Sequence, residues 1–243
     1  MDSTAAVSLL LFIITIYIFR LIIILPCCHD FNYDYDKVNN ANKTTGRKKN
    51  IINEIQNKGM KNLHLFIFLG SGGHTGEMLR LLLQYKDILL NKDTILHVGY
   101  SDIESLNKIK HLSGSFNCKI NYYRFQKARE VNANFTSSFK TIFITMLTSF
   151  LHIAKIKYQM LNNPHLVLLN GPGTCFIITV WFKLLDLILL ATSSNIVYIE
   201  SLARINTFSL TGKLLYWIVD ELIVQWPELQ AKYPKAKYFG ILV

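Results

Sequence analysis

The chain has 243 residues, and 51% of them are hydrophobic, which is enough for a sizeable core. Lys and Arg outnumber Asp and Glu by 26 to 16, and the formal charge of +10 suits an anionic membrane surface or a phosphate-bearing ligand. The basic residues are scattered and no zinc-finger spacing occurs, which sets nucleic acid aside. The cysteines, Cys27, Cys28, Cys118 and Cys175, show no C-x-x-C spacing and suggest neither a metal cluster nor a disulfide framework.

Ala5 to Leu25 is strongly apolar and carries one charge, Arg20. At about 1.5 Å per residue, residues 5–25 reach roughly 31 Å, the thickness of a hydrocarbon core. The chain starts with Met1 and Asp2 rather than a basic segment, so a retained transmembrane anchor is expected instead of a cleaved signal peptide. Arg20 lies near one end, where a long side chain snorkels to the headgroups. Lys37, Lys43, Arg47, Lys48 and Lys49 follow the apolar run and none precedes it, which places the carboxy-terminal bulk in the cytosol. Two sequons, at Asn42 and Asn134, would then stay unused. Cys27 and Cys28, directly after the anchor, are candidates for palmitoylation set against simple reduced thiols. Residues 26–62 are rich in Asn and Lys and read as a flexible polar linker.

Residues 63–243 read as one α/β domain. Short β-rich runs at Leu63 to Leu69, Thr94 to Gly99, Lys119 to Arg124, Leu166 to Leu169, Ile196 to Ile199, Leu222 to Gln225 and Tyr238 to Leu242 alternate with helical stretches such as Glu77 to Leu90 and Ser138 to Leu161. That alternation predicts a Rossmann-like, mostly parallel sheet with helices on both faces. Two helical stretches, Thr141 to Phe150 and Cys175 to Leu190, are strongly apolar. Nearby charges, including Lys183 and Asp186, make them buried or interfacial helices rather than further spans.

In an open parallel sheet the ligand lies beyond the carboxyl ends of the strands. "GSGGHTGE" follows the first strand of the domain and runs into a helix, so its glycines bring backbone close to a ligand and the helix start attracts anionic oxygen. The string matches neither G-x-G-x-x-G nor a P-loop, which lowers dinucleotide and NTPase readings. The helix macrodipole favours a neutral imidazole at His74, and a neutral imidazole can act as a base; the alternative is a histidine that only caps the helix. Glu77 reads as a residue that compensates the dipole in the first helical turn. "NGPGTC", Asn170 to Cys175, repeats the arrangement of strand, tight turn and helix, and the two loops should be neighbours. Glu200 and Arg204 in "YIESLAR", and Arg129 and Glu130 in "QKAREV", sit at two further strand exits, where charge either meets a ligand or faces solvent. No H-E-x-x-H, no G-x-S-x-G and no paired Asp cluster occurs, which lowers protease, hydrolase and metal-dependent readings.

Taken together, "GSGGHTGEMLRLL", "QKAREV", "NGPGTC" and the long block "YIESLARINTFSLTGKLLYWIVDELIVQWPELQAKYP" resemble the asparagine-linked glycosylation protein 14 homologues. The resemblance covers the chain apart from the linker, whose Asn/Lys-rich insertion is not part of the motif pattern. It implies the amino-terminal half of a two-lobed GT-B glycosyltransferase that recruits a small cytosolic catalytic subunit, of asparagine-linked glycosylation protein 13 type. The pair would transfer a second N-acetylglucosamine from UDP-GlcNAc to dolichyl-diphospho-GlcNAc at the cytosolic face of the endoplasmic reticulum membrane, without a metal or other cofactor. The "GSGGH" loop also looks like the acceptor-facing loop of the bacterial lipid-linked disaccharide-forming N-acetylglucosaminyltransferase. On that likeness His74, or an acid group nearby, is the base, and Gly72, Gly73, Thr75, Arg129, Glu130, Asn170, Gly171, Gly173, Glu200 and Arg204 line the substrate cleft. The apolar tail "YFGILV" is either a last core strand or part of the partner interface. A self-sufficient membrane-anchored nucleotide-sugar transferase and a non-catalytic membrane adaptor are the competing readings.

Overall fold

The computed structural model describes residues 3–26, 63–126, 135–189 and 193–243. Arg129 and Glu130, the adjacent Cys27 and Cys28, both sequon asparagines, and all of the linker except Pro26 lie outside the described residues.

Helix α1, Ser3–Ile24, is apolar all round and exposed along nearly its whole length. Its Val7–Ile24 segment has a mean hydropathy of 2.7, long and apolar enough to cross a membrane. The carboxyl end of this helix docks on the domain. Arg20 donates from Nε (3.3 Å) and Nη2 (3.2 Å) to the Asp186 carbonyl, and Lys183 Nζ donates to the Ile24 carbonyl at 3.1 Å. The lysine thus satisfies one of the carbonyls that a helix end leaves unpaired. Ile24 and Pro26 are buried there. This corrects the expectation of a snorkelling Arg20: its guanidinium holds helix to domain, so residues 27–62 are not the only tie between them.

The domain continues with β1 (His64–Leu69), α2 (Gly73–Gln84), α3 (Lys86–Leu89), β2 (Ile95–Tyr100), α4 (Ile103–Ser113), β3 (Lys119–Arg124), α5 (Phe135–Met160), β4 (His165–Asn170), α6 (Thr174–Ile188), β5 (Asn195–Ile199), α7 (Leu210–Leu215), β6 (Glu221–Val224), α8 (Pro227–Lys232) and β7 (Lys237–Tyr238). The seven strands form one parallel sheet in the order β3-β2-β1-β4-β5-β6-β7. The chain steps outward from β1 to β3, then returns through α5 to lay β4 against β1, with Ile67 opposite Leu168. The crossover between β1 and β4 is the place where such sheets open a ligand crevice.

Strand β1 is fully buried because helices cover both faces of the sheet. Phe66 and Phe68 face one core, with Ile153 and Ile156 of α5 and Ile178 and Phe182 of α6. Leu65, Ile67 and Leu69 face the other, with Met78 and Leu82 of α2 and Ile109 of α4. The strongly apolar α6 is a core helix, as its composition suggests. Helix α5 buries Ile153, Ile156 and Met160 but leaves Phe143, Leu147 and Leu151 exposed.

One group of polar side chains buried within the helix layer is mutually paired. Lys157 and Asp186 form a fully buried ion pair. Asp186 accepts from Ser194 N (2.8 Å) and Ser194 Oγ (3.1 Å). His165 donates from Nδ1 to the Asn163 carbonyl (2.8 Å), which leaves Nε2 to accept from Lys157 Nζ (3.1 Å). The expected last strand, Tyr238 to Leu242, is cut to Lys237–Tyr238. Beyond it Leu242 turns inward and its N–H donates to Gln225 Oε1 (3.2 Å), while Phe239 and Ile241 are exposed.

Candidate active site

The loop after β1 turns at Gly72, whose φ of +58° is readily open only to glycine. Helix α2 therefore starts at Gly73, earlier than the sequence pattern suggests, and His74 is its second residue. The imidazole lies against the backbone of Gly171, in the loop after β4. Gly171 has φ +87°, and a Cβ there would stand 2.6 Å from His74 Cε1 and closer still to Nδ1 and Cγ. The missing side chain is the seat of the histidine ring. The loops also interlock at Gly70, where a Cβ would meet Pro172 Cγ at 2.7 Å. The two glycine loops are neighbours, as expected from their shared place at strand ends.

Asn170 ends β4 and is buried. Its Oδ1 lies 3.2 Å from His74 Nδ1, and its Nδ2 donates to Glu77 Oε2 (2.9 Å) and to the Ile199 carbonyl (3.2 Å). Glu77 Oε1 in turn accepts from Ser201 Oγ (2.8 Å) and the Leu202 N–H (3.2 Å). With α2 beginning at Gly73, Glu77 stands past the first turn, and the dipole-compensating role expected of it gives way to another. One carboxylate ties together the ends of β1, β4 and β5. Sequence reasoning names this residue but misses its role. The available signal was its spacing: three residues after His74 on a helix puts both side chains on one face.

Two expected cleft residues need correction. Thr75 is fully buried, its hydroxyl paired with Ser105 Oγ (2.8 Å), which also donates to the Gly70 carbonyl (2.9 Å). Thr75 braces the glycine loop from below. Glu200 is also buried and accepts from the N–H groups of Ser201 and Ser209 (both 3.1 Å) and from Ser209 Oγ (3.0 Å). Burial pushes its carboxyl above the usual range, and those hydrogen bonds together with the Arg204 charge oppose the rise. Ser209 caps α7 by accepting from the Gly212 N–H (2.9 Å), and Gly212 has no side chain because the Glu200 carboxylate fills that space. Glu200 therefore fixes the β5 exit loop from inside.

Gly72, Gly73 and Gly173 are exposed at the loop rims, and the Arg204 side chain is exposed on the β5 exit loop. Tyr198 OH donates to the Gly171 carbonyl (3.3 Å). A recess of about 390 Å³ lies beyond β3, lined by Arg124, Phe125, Gln126, Thr148 and His152.

An all-parallel sheet in Rossmann order, with a histidine-bearing glycine loop and an Asn-Gly-Pro-Gly turn locked together at the carboxyl ends of β1 and β4, defines a doubly wound α/β protein. The chain belongs to the Alg14 family: the family described as "Oligosaccharide biosynthesis protein Alg14 like" matches residues 65–242. It is 50% identical to a protein of Saccharomyces cerevisiae over 100% of both chains, and 45% identical to one of Kluyveromyces lactis over 99% of both. A Mus musculus protein is 38% identical over 75% of this chain and 84% of its own. All three are named UDP-N-acetylglucosamine transferase subunit ALG14. Among solved structures, a crystal structure of Acinetobacter baumannii MurG overlays on 75% of this chain and 44% of its own, with a TM-score of 0.48 and 12% identity.

Proposed function

We propose that this chain is the membrane-anchored subunit of a two-subunit N-acetylglucosaminyltransferase, which adds the second GlcNAc from UDP-GlcNAc to dolichyl-diphospho-GlcNAc in N-glycan precursor synthesis. The observation that carries the reading is the end-to-end likeness to a protein named as a UDP-N-acetylglucosamine transferase subunit, at 50% identity. In this reading α1 anchors the chain in the endoplasmic reticulum membrane, the α/β domain faces the cytosol, and a small cytosolic catalytic subunit of asparagine-linked glycosylation protein 13 type completes the cleft. The partner holds most of the nucleotide, and this chain alone is inactive. The exposed Phe239 and Ile241 on the tail are proposed as part of the docking surface.

The chemistry proposed for the site is direct inverting displacement. His74, seated on Gly171, takes the proton of the acceptor hydroxyl as that oxygen bonds to the sugar and UDP leaves. Gly72, Gly73 and Gly173 bring backbone close to the acceptor, and Arg204 and Arg129 are available to the lipid diphosphate. The fixed seat of the imidazole supports this assignment, because a base contributes only when held in place. The test is transfer of labelled GlcNAc from UDP-GlcNAc to lipid-diphosphate-linked GlcNAc by membranes carrying this chain, with and without the small subunit. Transfer requiring both chains, and a fall of about 10² or more on His74→Ala, is the expected result. Transfer by this chain alone would make it a complete enzyme, and normal turnover by His74→Ala would remove the base role.

A further inference from the structure

We propose that Glu77 is a positioning residue: acting through the amide of Asn170, it fixes the proton of His74 on Nδ1 and leaves Nε2 as the free base. This rests on the reading of His74 as the base and adds a second residue to it.

The argument is one of donors and acceptors. A carboxylate oxygen and a peptide carbonyl only accept, so Glu77 Oε2 and the Ile199 carbonyl both demand the NH2 group of Asn170. The amide has one orientation that satisfies both, and it turns Oδ1 toward His74 Nδ1. Because Oδ1 also only accepts, Nδ1 must carry the hydrogen. A neutral imidazole has one N–H, so the lone pair is on Nε2, for which the described residues provide no hydrogen-bond partner. Glu77 cannot turn away, since Oε1 is held by Ser201 Oγ and the Leu202 N–H. Without Glu77, the Ile199 carbonyl alone would hold the amide, at 3.2 Å. A flipped amide would offer NH2 to Nδ1 and put the ring proton on Nε2, where it blocks the base.

In the reaction the acceptor O–H bond breaks and its proton goes to Nε2. The oxygen bonds to the sugar carbon while the bond from that carbon to UDP breaks, its electron pair leaving with UDP. The imidazolium so formed still donates from Nδ1 to Asn170, whose amide is polarised by the Glu77 carboxylate.

The test reads the tautomer directly. The full chain, in lipid nanodiscs with isotope-labelled histidine, is observed by NMR of the ring nitrogens above the titration range of imidazole, and the His74 signal is assigned by its loss in His74→Ala. The wild type is expected to show Nδ1–H. Glu77→Gln keeps the size of the side chain, and its carbonyl stays with the Leu202 N–H. Its NH2 then meets Asn170 and drives the flip, so His74 should change to Nε2–H and turnover should fall by about 10². Asn170→Asp, whose carboxyl shares one proton with Glu77 and still turns an accepting oxygen to His74, should keep Nδ1–H. An Nε2–H tautomer in the wild type or in Asn170→Asp would overturn the proposal, as would unchanged Nδ1–H in folded Glu77→Gln. The base reading fails separately: His74→Ala with normal turnover removes it even where the tautomer behaves as described.

Discussion

Gly171→Ala puts the seat of the histidine to a quantitative test. The new Cβ would lie 2.6 Å from His74 Cε1 and closer still to Nδ1 and Cγ, whereas ordinary contact begins at 3.4 Å, so the ring must move by about 1 Å or more. The imidazole yields because Gly171 is pinned between β4 and the turn at Pro172, and the movement pulls Nδ1 away from Asn170. Displacing a reacting group by about 1 Å costs about 10²-fold in rate, so transfer of labelled GlcNAc in the presence of the small subunit should fall by about that factor. Stability should fall too. Alanine at positive φ costs about 1–2 kcal/mol, and overpacking adds about 1–3 kcal/mol. The double variant His74→Ala/Gly171→Ala separates the two effects. It should turn over no more slowly than His74→Ala alone and should recover the overpacking part of the stability loss, leaving the cost of the positive φ. Near-normal turnover and an unchanged melting temperature in Gly171→Ala would refute the idea that this glycine is the seat of the ring.

Lys157→Met removes the cation from a fully buried ion pair and leaves Asp186 charged beside Ser194, which should cost about 3–5 kcal/mol in thermal or chemical unfolding. A melting temperature equal to that of the wild type would contradict it. The buried His97 sets the acid limit. Burial, with a smaller contribution from His64, holds its imidazole down at about 4. In the unfolded chain it titrates near 6.5. Stability is therefore full above about 6.5, falls as the unfolded chain takes up a proton that the folded chain refuses, and stops falling below about 4, a loss on the order of 3 kcal/mol. Burial lowers His64 and His165 as well, which steepens the same slope. Unfolding of detergent-solubilised chain across that window should show a flatter decline for His97→Gln, and identical slopes would count against the assignment.

Much of the fold was legible because its signals are local. The apolar run that forms α1, the alternation of β-rich and helical runs, and the glycine clusters at strand exits are set by burial, propensity and turn chemistry within a few residues. The misreadings came where a distant partner decided the outcome. Arg20 has the look of a snorkelling residue until the end of α1 meets Asp186, 166 positions away. Thr75 and Glu200 have the polarity of ligand contacts, and the helix start at Gly73 and the cap at Ser209 are what turn them inward. The tail from Phe239 has the apolar residues of a core strand or of an interface, and it is no longer a strand partner, since pairing with β6 stops at Tyr238.

By itself the sequence determined that a membrane-length helix precedes a parallel α/β domain, and that a glycine loop carrying His74 stands at the exit of the domain's first strand. Only the tertiary structure decided what surrounds that histidine. The return of β4 to the side of β1 brings Asn170 to Glu77 across 93 positions, and the next strand brings Ser201 to it across 124. Strand order and register place those partners, and both are set by the packing of the whole sheet between its two helix layers.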